Sequence, residues 1–335
     1  TLGVLALFVL MAYGQEKKFA LYSVAFYNME NLFDTIHDEG KNDYEYLPNG
    51  TNQWNTMKYK AKLKNMSEIL SMLSTDKLPM GPAIIGVSEI ENYRVLEDIL
   101  KQPVLADRGY QYVHYEGADQ RGVDCAFFYN PKLFELTNSK LVPYVYINDT
   151  VHKTRGFLIA SGNIAGEKMH FIVNHWPSRA AASPARERAG EQVRAIKDSL
   201  LREDSAAKIV IMGDMNDDPM DKSMAVALGA KRKPADVGPT DLYNPWWDTL
   251  KKGYGTLMYK GKWNLFDQIV FTGNLLGTDR STLKFYKHEI FRRDFMFQKE
   301  GKYKGYPKRT QAGGVWLNGY SDHLPTIIYL IKEVK

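Results

Sequence analysis

Polar residues follow several apolar runs of this sequence, and their types could bind a metal ion or move protons. The apolar run 209–212 stops at Gly213, after which Asp214 and Asn216 follow at period-two spacing and can project in the same direction. Similar residues stand at the edges of other apolar runs: Asn28, Glu30, Glu89, Asn174, His175, Asp267, Asp322 and His323. Any one of them could be a turn residue or a satisfied polar group of the core. Ten at such edges are hard to attribute to turn chemistry alone, and they indicate a functional site.

The types of these residues favour a hard cation and hydrolysis at phosphorus. Carboxylates at Glu30, Glu89 and Asp322, with Asn28 adjacent, suit Mg²⁺, with Mn²⁺ as an alternative. Two histidines and no cysteine ligand argue against structural zinc. A hard cation beside histidines and acids could neutralise charge on a transferring phosphoryl group and hold the leaving oxygen. Asp267, inside an apolar run, needs a partner, and at an active site this is usually a histidine.

The elements that position these residues are predicted from hydrophobic patterns. Buried strands are predicted at 19–28, 82–92, 168–178, 209–212, 264–271 and 324–330. Further strands are predicted at 110–115, 123–129, 141–147, 157–164 and 283–291. Buried strands of α/β proteins present their ligand sites at carboxyl ends, which is where most of the polar residues lie.

Helices are predicted at 57–73, 93–100 and 223–228, and from an N-capping Ser183 onward through Leu200. In the first of them apolar residues recur at helical spacing, and Lys58, Lys60, Lys62 and Lys64 are predicted to face solvent. No internal repeat or low-complexity linker interrupts the pattern. A single domain over residues 18–335 is therefore expected.

Composition limits the class of protein. The chain has 335 residues, 44% of them hydrophobic, so it can bury a substantial core. A net charge of +5 suits a polyanionic substrate without demanding one. The single cysteine, Cys125, excludes an intramolecular disulfide framework and a cysteine-rich zinc site, and it lies in an apolar run that favours a buried thiol.

The first residues suggest export. Residues 1–14 form an uncharged apolar block that is too short to span a bilayer. Small residues at Ala12 and Gly14, followed by a charged segment, are typical of the apolar core and cleavage site of a signal peptide. A buried N-terminal strand or helix is the alternative. The pattern predicts a signal-peptide remnant over 1–14 and an exported protein, periplasmic or secreted.

Two further segments could contact a substrate. The basic segment 231–263 contains aromatic residues that could stack on bases, although such residues more often pack a core or brace a loop: Trp246, Trp247, Tyr254, Tyr259 and Trp263. The segment 292–309 is basic and contains glycine, which makes it a candidate substrate-contacting loop, with a solvated face as the default.

The order of the polar motifs resembles the endonuclease/exonuclease/phosphatase superfamily, which includes pancreatic-type DNases, apurinic-site endonucleases, inositol-polyphosphate phosphatases and bacterial sphingomyelinases. The resemblance covers nearly all of the mature chain and is carried by these motifs: Asn28-x-Glu30, Ser88-Glu89, Asn174-His175, Gly213-Asp-x-Asn216, Asp267 within a strand, and Ser321-Asp-His323. Ser88 stands where the family often has glutamine, which leaves the acid intact. The resemblance implies a DNase I-like α/β fold, a four-layer sandwich of two packed, mostly antiparallel β-sheets flanked by helices.

The resemblance also implies a role for each site residue. Glu30 and Glu89 would bind the metal, with Asn28 in its shell and Asp322 near it. Asp267 would orient His323, and either His323 or Asp214 would activate the attacking water. Asn216 and His175 would hold the scissile phosphate and stabilise charge in the transition state, and His175 is a candidate for protonating the leaving oxygen.

These roles predict a metal-dependent phosphoester hydrolase, with a phosphodiesterase or nuclease as the leading hypothesis. The alternatives are an inositol-phosphate or phospholipid headgroup phosphoesterase on the same fold, and a non-catalytic binding protein. The expected partner is a phosphoester substrate, with nucleic acid as a candidate. No stable protein partner is implied, a monomer is expected, and membrane contact stays open. Substrate choice depends on loops that the catalytic motifs do not report.

Overall fold

The computed structural model describes residues 17–147 and 151–334, so the predicted signal segment 1–14 lies outside the described residues. The strands are β1 (Lys18–Leu32), β2 (Ile84–Ile90), β3 (Gln111–His114), β4 (Asp124–Tyr129), β5 (Glu135–Val142), β6 (Phe157–Ile164), β7 (Glu167–His175), β8 (Lys208–Asp214), β9 (Ala230–Lys231), β10 (Leu242–Tyr243), β11 (Leu257–Tyr259), β12 (Lys262–Asn264), β13 (Asp267–Thr272), β14 (Lys284–Ile290), β15 (Gln311–Ala312), β16 (Val315–Trp316) and β17 (Thr326–Val334). The helices are α1 (Thr56–Met72), α2 (Tyr93–Leu100), α3 (Pro103–Ala106), α4 (Ser183–Glu203) and α5 (Trp247–Lys251).

Two large sheets contain most of these strands. The first sheet has the order β14-β17-β1-β2-β4-β3, and the second has the order β5-β6-β7-β8-β13-β10-β9. Only the pairs β1–β2, β7–β8 and β9–β10 are parallel among the paired strands described in these two sheets. The prediction of mostly antiparallel sheets is therefore confirmed.

The two sheets pack face to face around a central core. Along β1, Val24 and Phe26 point into this core while Ala25 and Tyr27 point to the opposite face, as the period-two alternation of a strand requires. The approach is tightest at Gly86 of β2. A Cβ atom added there would lie 2.6 Å from the Sδ atom of Met212 on β8 and 3.2 Å from Cγ1 of Val173 on β7. Glycine at this position lets the sheets meet closely just below the ends of the strands.

Helices cover the outer faces of the sheets and complete four layers. Leu63 and Met66 of α1 belong to the same buried cluster as Tyr27 of the first sheet. On the other side, α4 contributes Ala189, Val193 and Leu200 to a buried cluster with Ile209 and Ile211 of β8. The predicted DNase I-like sandwich is confirmed. No helix among the described residues is long and apolar enough to cross a membrane.

One lysine of α1 is buried, so the prediction that Lys62 faces solvent is wrong. The side chain of Lys62 is fully buried, whereas Lys60 and Lys64 are exposed as predicted. The reason lies in the helical period: Lys62 stands three residues after Tyr59 and four before Met66, both of which are buried, so it shares their face.

Two boundaries also differ from the sequence-based expectation. The strand predicted at 141–147 is β5, which covers Glu135–Val142, because its backbone pairs with β6 in that register. Helix α4 begins at Ser183 with Pro184 in its first turn, but Ser183 is not the capping residue. Its hydroxyl donates to Glu187 Oε1 instead, and Ala182 occupies the cap position without a side-chain hydrogen bond.

Candidate active site

Three candidate site residues are cross-strand neighbours at one edge of the second sheet. His175 ends β7 and is in register with Asp214, which ends the parallel strand β8. Asp267 begins the antiparallel strand β13 and is also in register with Asp214. Residues in register on neighbouring strands project from the same face of a sheet. The β7-β8-β13 register therefore places an imidazole and two carboxylates side by side.

The first sheet contributes a second group of residues, and Asn28 joins the two groups. The Nδ2 atom of Asn28 lies 3.0 Å from Asp214 Oδ2 and 3.3 Å from Glu89 Oε1, so one amide donates to a carboxylate from each sheet. The Oδ1 atom of Asn28 accepts a hydrogen bond from the Glu30 backbone N–H at 2.8 Å. Asn28 therefore holds both carboxylates through its nitrogen, and its amide oxygen does not face them.

Backbone strain marks the ends of these strands. Glu30, Glu89 and Asn216 have φ values of +46°, +58° and +51°, in the left-handed region that non-glycine residues rarely adopt. Such conformations persist only where the surrounding structure holds them, and they cluster at functional sites. Glu30 and Glu89 lie at register shifts in the last residues of β1 and β2, and Asn216 follows the end of β8 by two residues.

His175 lies between two carboxylates, and its surroundings disfavour the charged imidazolium. Its Nε2 atom is 3.6 Å from Glu89 Oε1 and 3.8 Å from Asp214 Oδ2. Burial lowers the pKa of His175 well below its usual value, and the positive charge of Arg155 and Arg121 lowers it further. A neutral imidazole suits a metal ligand or hydrogen-bond donor better than it suits a general acid. The Nδ1 atom of His175 is buried without a hydrogen-bond partner among the described residues.

His323 is oriented by Asp267. The His323 Nδ1 atom lies 2.7 Å from Asp267 Oδ2, and the Nε2 atom faces Asp214 Oδ2 at 3.8 Å and Asp322 Oδ1 at 3.9 Å. Burial by itself would lower the pKa of His323, but Asp267, Asp214 and Asp322 together raise it well above its usual value. The Asp267 side chain is fully buried, so its carboxylate is reserved for the imidazole.

Asp214 is the residue that the other groups surround. The pKa of Asp214 is raised to about 7, mainly by burial and also by the charges of Asp267 and Glu89, while His323 and the Asn216 N–H oppose the rise. The Asp214 Oδ1 atom accepts from the backbone N–H of Asn216 at 2.9 Å, which leaves Oδ2 facing the site. The Asn216 side chain donates to the Trp176 carbonyl oxygen at 3.0 Å. A role for Asn216 in binding phosphate stays a prediction.

Glu30 and Asp322 share a guanidinium rather than joining Glu89 and Asp214. The Nε atom of Arg309 lies 2.7 Å from Glu30 Oε1, and its Nη2 atom lies 2.9 Å from Asp322 Oδ2. The Thr310 backbone N–H donates to Glu30 Oε2 at 2.7 Å. Both oxygens of Glu30 are thus engaged. Metal binding by Glu30, or by the Oδ2 atom of Asp322, would require Arg309 to move, and these ligand roles stay predictions.

Lys62 and Ser321 hold the site from behind, and the sequence analysis assigned no such role to either residue. The Lys62 Nζ atom lies 2.7 Å from the Tyr320 carbonyl oxygen, 2.5 Å from Thr310 Oγ1 and 3.9 Å from Glu30 Oε2. Ser321 Oγ donates to the Asn28 carbonyl oxygen at 2.8 Å. The available signal was the position of Lys62 on the apolar stripe of α1.

The donor atoms fit a divalent cation. One ligand atom from each of Glu89, His175 and Asp214 lies within 4.8 Å of the others, and the same holds for Asp214, Asp267 and His323. The first set contains two carboxylates, those of Glu89 and Asp214. Among the described residues, no arginine or lysine nitrogen lies within 4.0 Å of either carboxylate. Carboxylate oxygens with an imidazole suit Mg²⁺ or Mn²⁺.

A cavity of about 1050 Å³ adjoins this cluster on the side of Glu30 and Asp322. Of the aromatic residues named in the segment 231–263, one lies in the core and another lines this cavity. Trp246 is fully buried and donates to the Ile269 carbonyl oxygen, whereas Tyr259 is 62% exposed and lines the cavity. The basic segment 292–309 supplies another wall, including Lys302 and Tyr303.

Comparison with known proteins assigns the family. A model of the endonuclease/exonuclease/phosphatase family matches residues 23–332, so the chain belongs to this family. The fold and the family together define a phosphoester hydrolase, and enzymes of this family depend on divalent metal ions. No curated protein sequence matches the chain at a significant level.

Solved structures with the same fold come from bacteria and animals. An endonuclease/exonuclease/phosphatase family protein from Bacteroides thetaiotaomicron is 14% identical, with a TM-score of 0.59 over 95% of this chain and 98% of that one. The mannosyl-6-phosphatase of the same organism is 14% identical, with a TM-score of 0.57 over 92% and 99%. D. rerio TDP2 complexed with a single-strand DNA product is 14% identical, with a TM-score of 0.56 over 93% and 99%.

Proposed function

We propose that this protein is a Mg²⁺-dependent phosphodiesterase that hydrolyses nucleic acid. The observation that carries the proposal is the convergence of Glu89, His175 and Asp214 beside a histidine, His323, that is oriented by the buried Asp267. This arrangement supplies carboxylates for a hard cation and a positioned group for proton transfer within one site.

The residues that would hold the metal are Glu89 and Asp214. Both face the same space, and Asn28 fixes their orientation by donating to each. Asp322, 25% exposed at the edge of the cluster, would lie near them. A bound divalent cation neutralises charge on the transferring phosphoryl group and stabilises the leaving oxygen.

His323 is the proposed general base. Its Nδ1 atom is held by Asp267, so Nε2 is the atom that faces the site and, when the imidazole is deprotonated, can accept a proton from water. The buried Asp267 carboxylate then stabilises the imidazolium that forms. Asp214 is the alternative base, because its Oδ2 atom lies 3.8 Å from the same Nε2 atom.

His175 is the proposed phosphate ligand. Neutral imidazole can donate its Nε2 hydrogen to a non-bridging phosphate oxygen without adding a full charge. Arg155 fixes the strand end that carries it: its Nε donates to the His175 carbonyl oxygen at 3.3 Å, and its Nη1 atom lies 2.9 Å from Asp119. Asn216 is the second candidate for holding the phosphate.

The preference for nucleic acid rests on charge. Segment 292–309 contains seven lysine and arginine residues against two acidic ones, and it borders the cavity beside the site. A cationic surface of this kind binds phosphate chains and makes affinity dependent on salt. The fold itself does not distinguish substrates, because a mannosyl-6-phosphatase shares it. Inositol-phosphate and phospholipid headgroup hydrolysis therefore belong in the same assay panel.

The test is hydrolysis by the purified mature chain with Mg²⁺ and with EDTA. The panel contains plasmid DNA, RNA, bis-p-nitrophenyl phosphate, inositol phosphates, mannose 6-phosphate and sphingomyelin, with His323→Ala as the inactive control. Metal-dependent cleavage of nucleic acid that is lost in the variant is the expected result. Activity confined to a monoester or a lipid would replace nucleic acid as the assigned substrate. No activity on any substrate of the panel would contradict the proposed hydrolase function.

We also propose that the protein is exported, on the basis of the apolar block over residues 1–14. Fractionation of a bacterial host that expresses the chain with its natural leader would test this. Recovery of an N-terminus near Gln15 outside the cytoplasm is expected, and full-length protein in the cytoplasm would contradict it.

A further inference from the structure

We propose that the cavity beside Asp322 receives one unstacked nucleobase of a single-stranded nucleic acid, next to the phosphate that is cleaved. This inference rests on the proposed phosphodiesterase function and deepens it, because it selects single-stranded over duplex substrates. The observations that support it are the position of the cavity, its aromatic walls and the two lysines at its rim, Lys260 and Lys302.

The cavity is continuous with the catalytic segment. One wall is the hairpin β11–β12, whose first residue, Leu257, forms a backbone bridge with His323. The Leu324 N–H also donates to the Thr256 carbonyl oxygen at 2.9 Å. Glu30 and Asp322 line the floor. A group that occupies the cavity would therefore lie next to the segment that carries Asp322 and His323.

The opposite wall is joined to the tip of this hairpin. The hydroxyl of Tyr306 accepts from the Gly261 N–H at 2.6 Å, which connects the loop 298–307 to the β11–β12 turn. The Tyr303 and Tyr306 rings pack edge to face, with their centroids 5.4 Å apart. The hydrogen bond between Tyr306 and Gly261 thus connects the two walls of the cavity.

Exposed tyrosines on both walls suit a planar ligand. Tyr259 on the hairpin is 62% exposed and Tyr303 on the loop is 53% exposed, and both line the cavity. A planar ligand that stacks on these rings would remove apolar surface from water. Stacking of a base on an aromatic side chain is sequence-tolerant, since every base has a π face.

The charge at the rim favours a phosphate chain over an isolated sugar phosphate. Lys260 and Lys302 stand over the rings of Tyr259 and Tyr303 at 5.2 and 5.5 Å. Within the described parts of the chain neither lysine has a carboxylate within 4.0 Å. A ligand with one phosphate would use only the catalytic site, whereas successive phosphates can also neutralise these lysines.

A base can enter this cavity only when it is not stacked in a duplex. Extrusion of a paired base costs a few kcal/mol, and a single strand avoids most of this cost. The cavity, at about 1050 Å³, has room for a nucleoside. Cleavage of a single strand is therefore expected to be faster than cleavage of the same sequence in a duplex.

The experiment compares matched single-stranded and duplex oligonucleotides that carry 2-aminopurine beside the cleavable phosphate. Binding is followed by 2-aminopurine fluorescence in EDTA, and cleavage is followed with Mg²⁺. For the wild type, we expect about tenfold higher kcat/KM and tighter binding for the single strand. The variant Tyr259→Ala/Tyr303→Ala should lose most of this preference and the fluorescence change. Tyr286→Ala is the matched control, because Tyr286 is 53% exposed on β14 and does not line the cavity.

Two results would overturn the inference. Equal kcat/KM values for single strand and duplex would do so, and so would a double variant that behaves like Tyr286→Ala. Hydrolysis of bis-p-nitrophenyl phosphate by the wild type distinguishes a failure of the proposed phosphodiesterase function from a failure of the cavity assignment. If this diester is cleaved and no single-strand preference is found, the phosphodiesterase function stands and the cavity assignment fails. If no diester is cleaved, the proposed function fails, and the binding measurement in EDTA still decides whether the cavity takes a base.

Discussion

The His323 Nδ1 atom lies 2.7 Å from Asp267 Oδ2, although the two residues are 56 positions apart in the chain. Asp267 is the first residue of β13 and His323 precedes β17, so each large sheet contributes one partner. The pair defines which imidazole nitrogen faces the site, and its energetic role can be measured directly.

Asp267→Asn should lower kcat by about 10²- to 10⁴-fold, because an amide cannot stabilise the imidazolium and can select the other tautomer. KM should change little, since the residue does not face substrate. The measurement is the pH dependence of kcat on bis-p-nitrophenyl phosphate, compared with the wild type. A variant that folds normally and retains most of its kcat would show that Asp214, rather than the His323–Asp267 pair, activates water.

Glu89→Gln should weaken binding of Mn²⁺ by about 10- to 100-fold, because one carboxylate charge is removed while the Asn28 contact can be kept. Titration calorimetry of the purified chain measures this without any substrate. Asp279→Asn is the control, since that carboxylate is fully exposed. Equal Mn²⁺ affinity in Glu89→Gln and in the wild type would remove Glu89 from the metal site.

Lys62→Met should destabilise the fold by about 2–3 kcal/mol and also lower activity. The change leaves the Tyr320 carbonyl and Thr310 Oγ1 without their buried donor, and it removes the positive charge behind Glu30. Urea unfolding measures the free energy of unfolding. The exposed Lys64→Met on the same helix is the control and should be close to neutral. Equal stability of the two variants would contradict the structural role of Lys62.

Gly86→Ala should destabilise the protein by about 1–2 kcal/mol, because the added Cβ atom would meet Met212 Sδ at 2.6 Å between the two sheets. The double variant Gly86→Ala/Met212→Ala should be more stable than the sum of the single effects predicts. A double-mutant cycle in urea tests this. Strict additivity would show that the sheets do not press against each other at this point.

The free energy of unfolding should decrease as the pH falls from 6.5 to 4, because His288 is buried in the folded protein. Burial lowers the pKa of His288 from 6.5 to about 4, and its ring packs against Trp246. In this window the unfolded chain binds a proton that the folded chain does not, so stability rises with pH and is lost as pH falls. The loss reaches up to about 3 kcal/mol near pH 4. Unfolding measured from pH 4 to pH 8 should show a weaker pH dependence in His288→Gln than in the wild type, and parallel curves would contradict the assignment.

Much of the fold follows from local patterns. Period-two and continuous apolar runs predicted β1, β2, β7, β8 and β13, and the polar residues at their ends predicted the family. Lys62 shows where local sequence patterns fail to predict burial. Its neighbours Lys60 and Lys64 face water, and a lysine is rarely buried, yet the partners that make burial of Lys62 possible lie near Thr310 and Tyr320, about 250 residues later in the chain.

The strands that carry the site, the kinds of side chain near their ends and hence the class of chemistry could be predicted from the sequence alone, because these depend on local alternation and on residue type. The tertiary structure decided which acids share a partner. Glu89 and Asp214 meet at Asn28, whereas Glu30 and Asp322 meet at Arg309. Separations of 186 residues between Asn28 and Asp214 and of 279 between Glu30 and Arg309 leave no local trace. Such pairings exist only once the two sheets and the loops above them have packed.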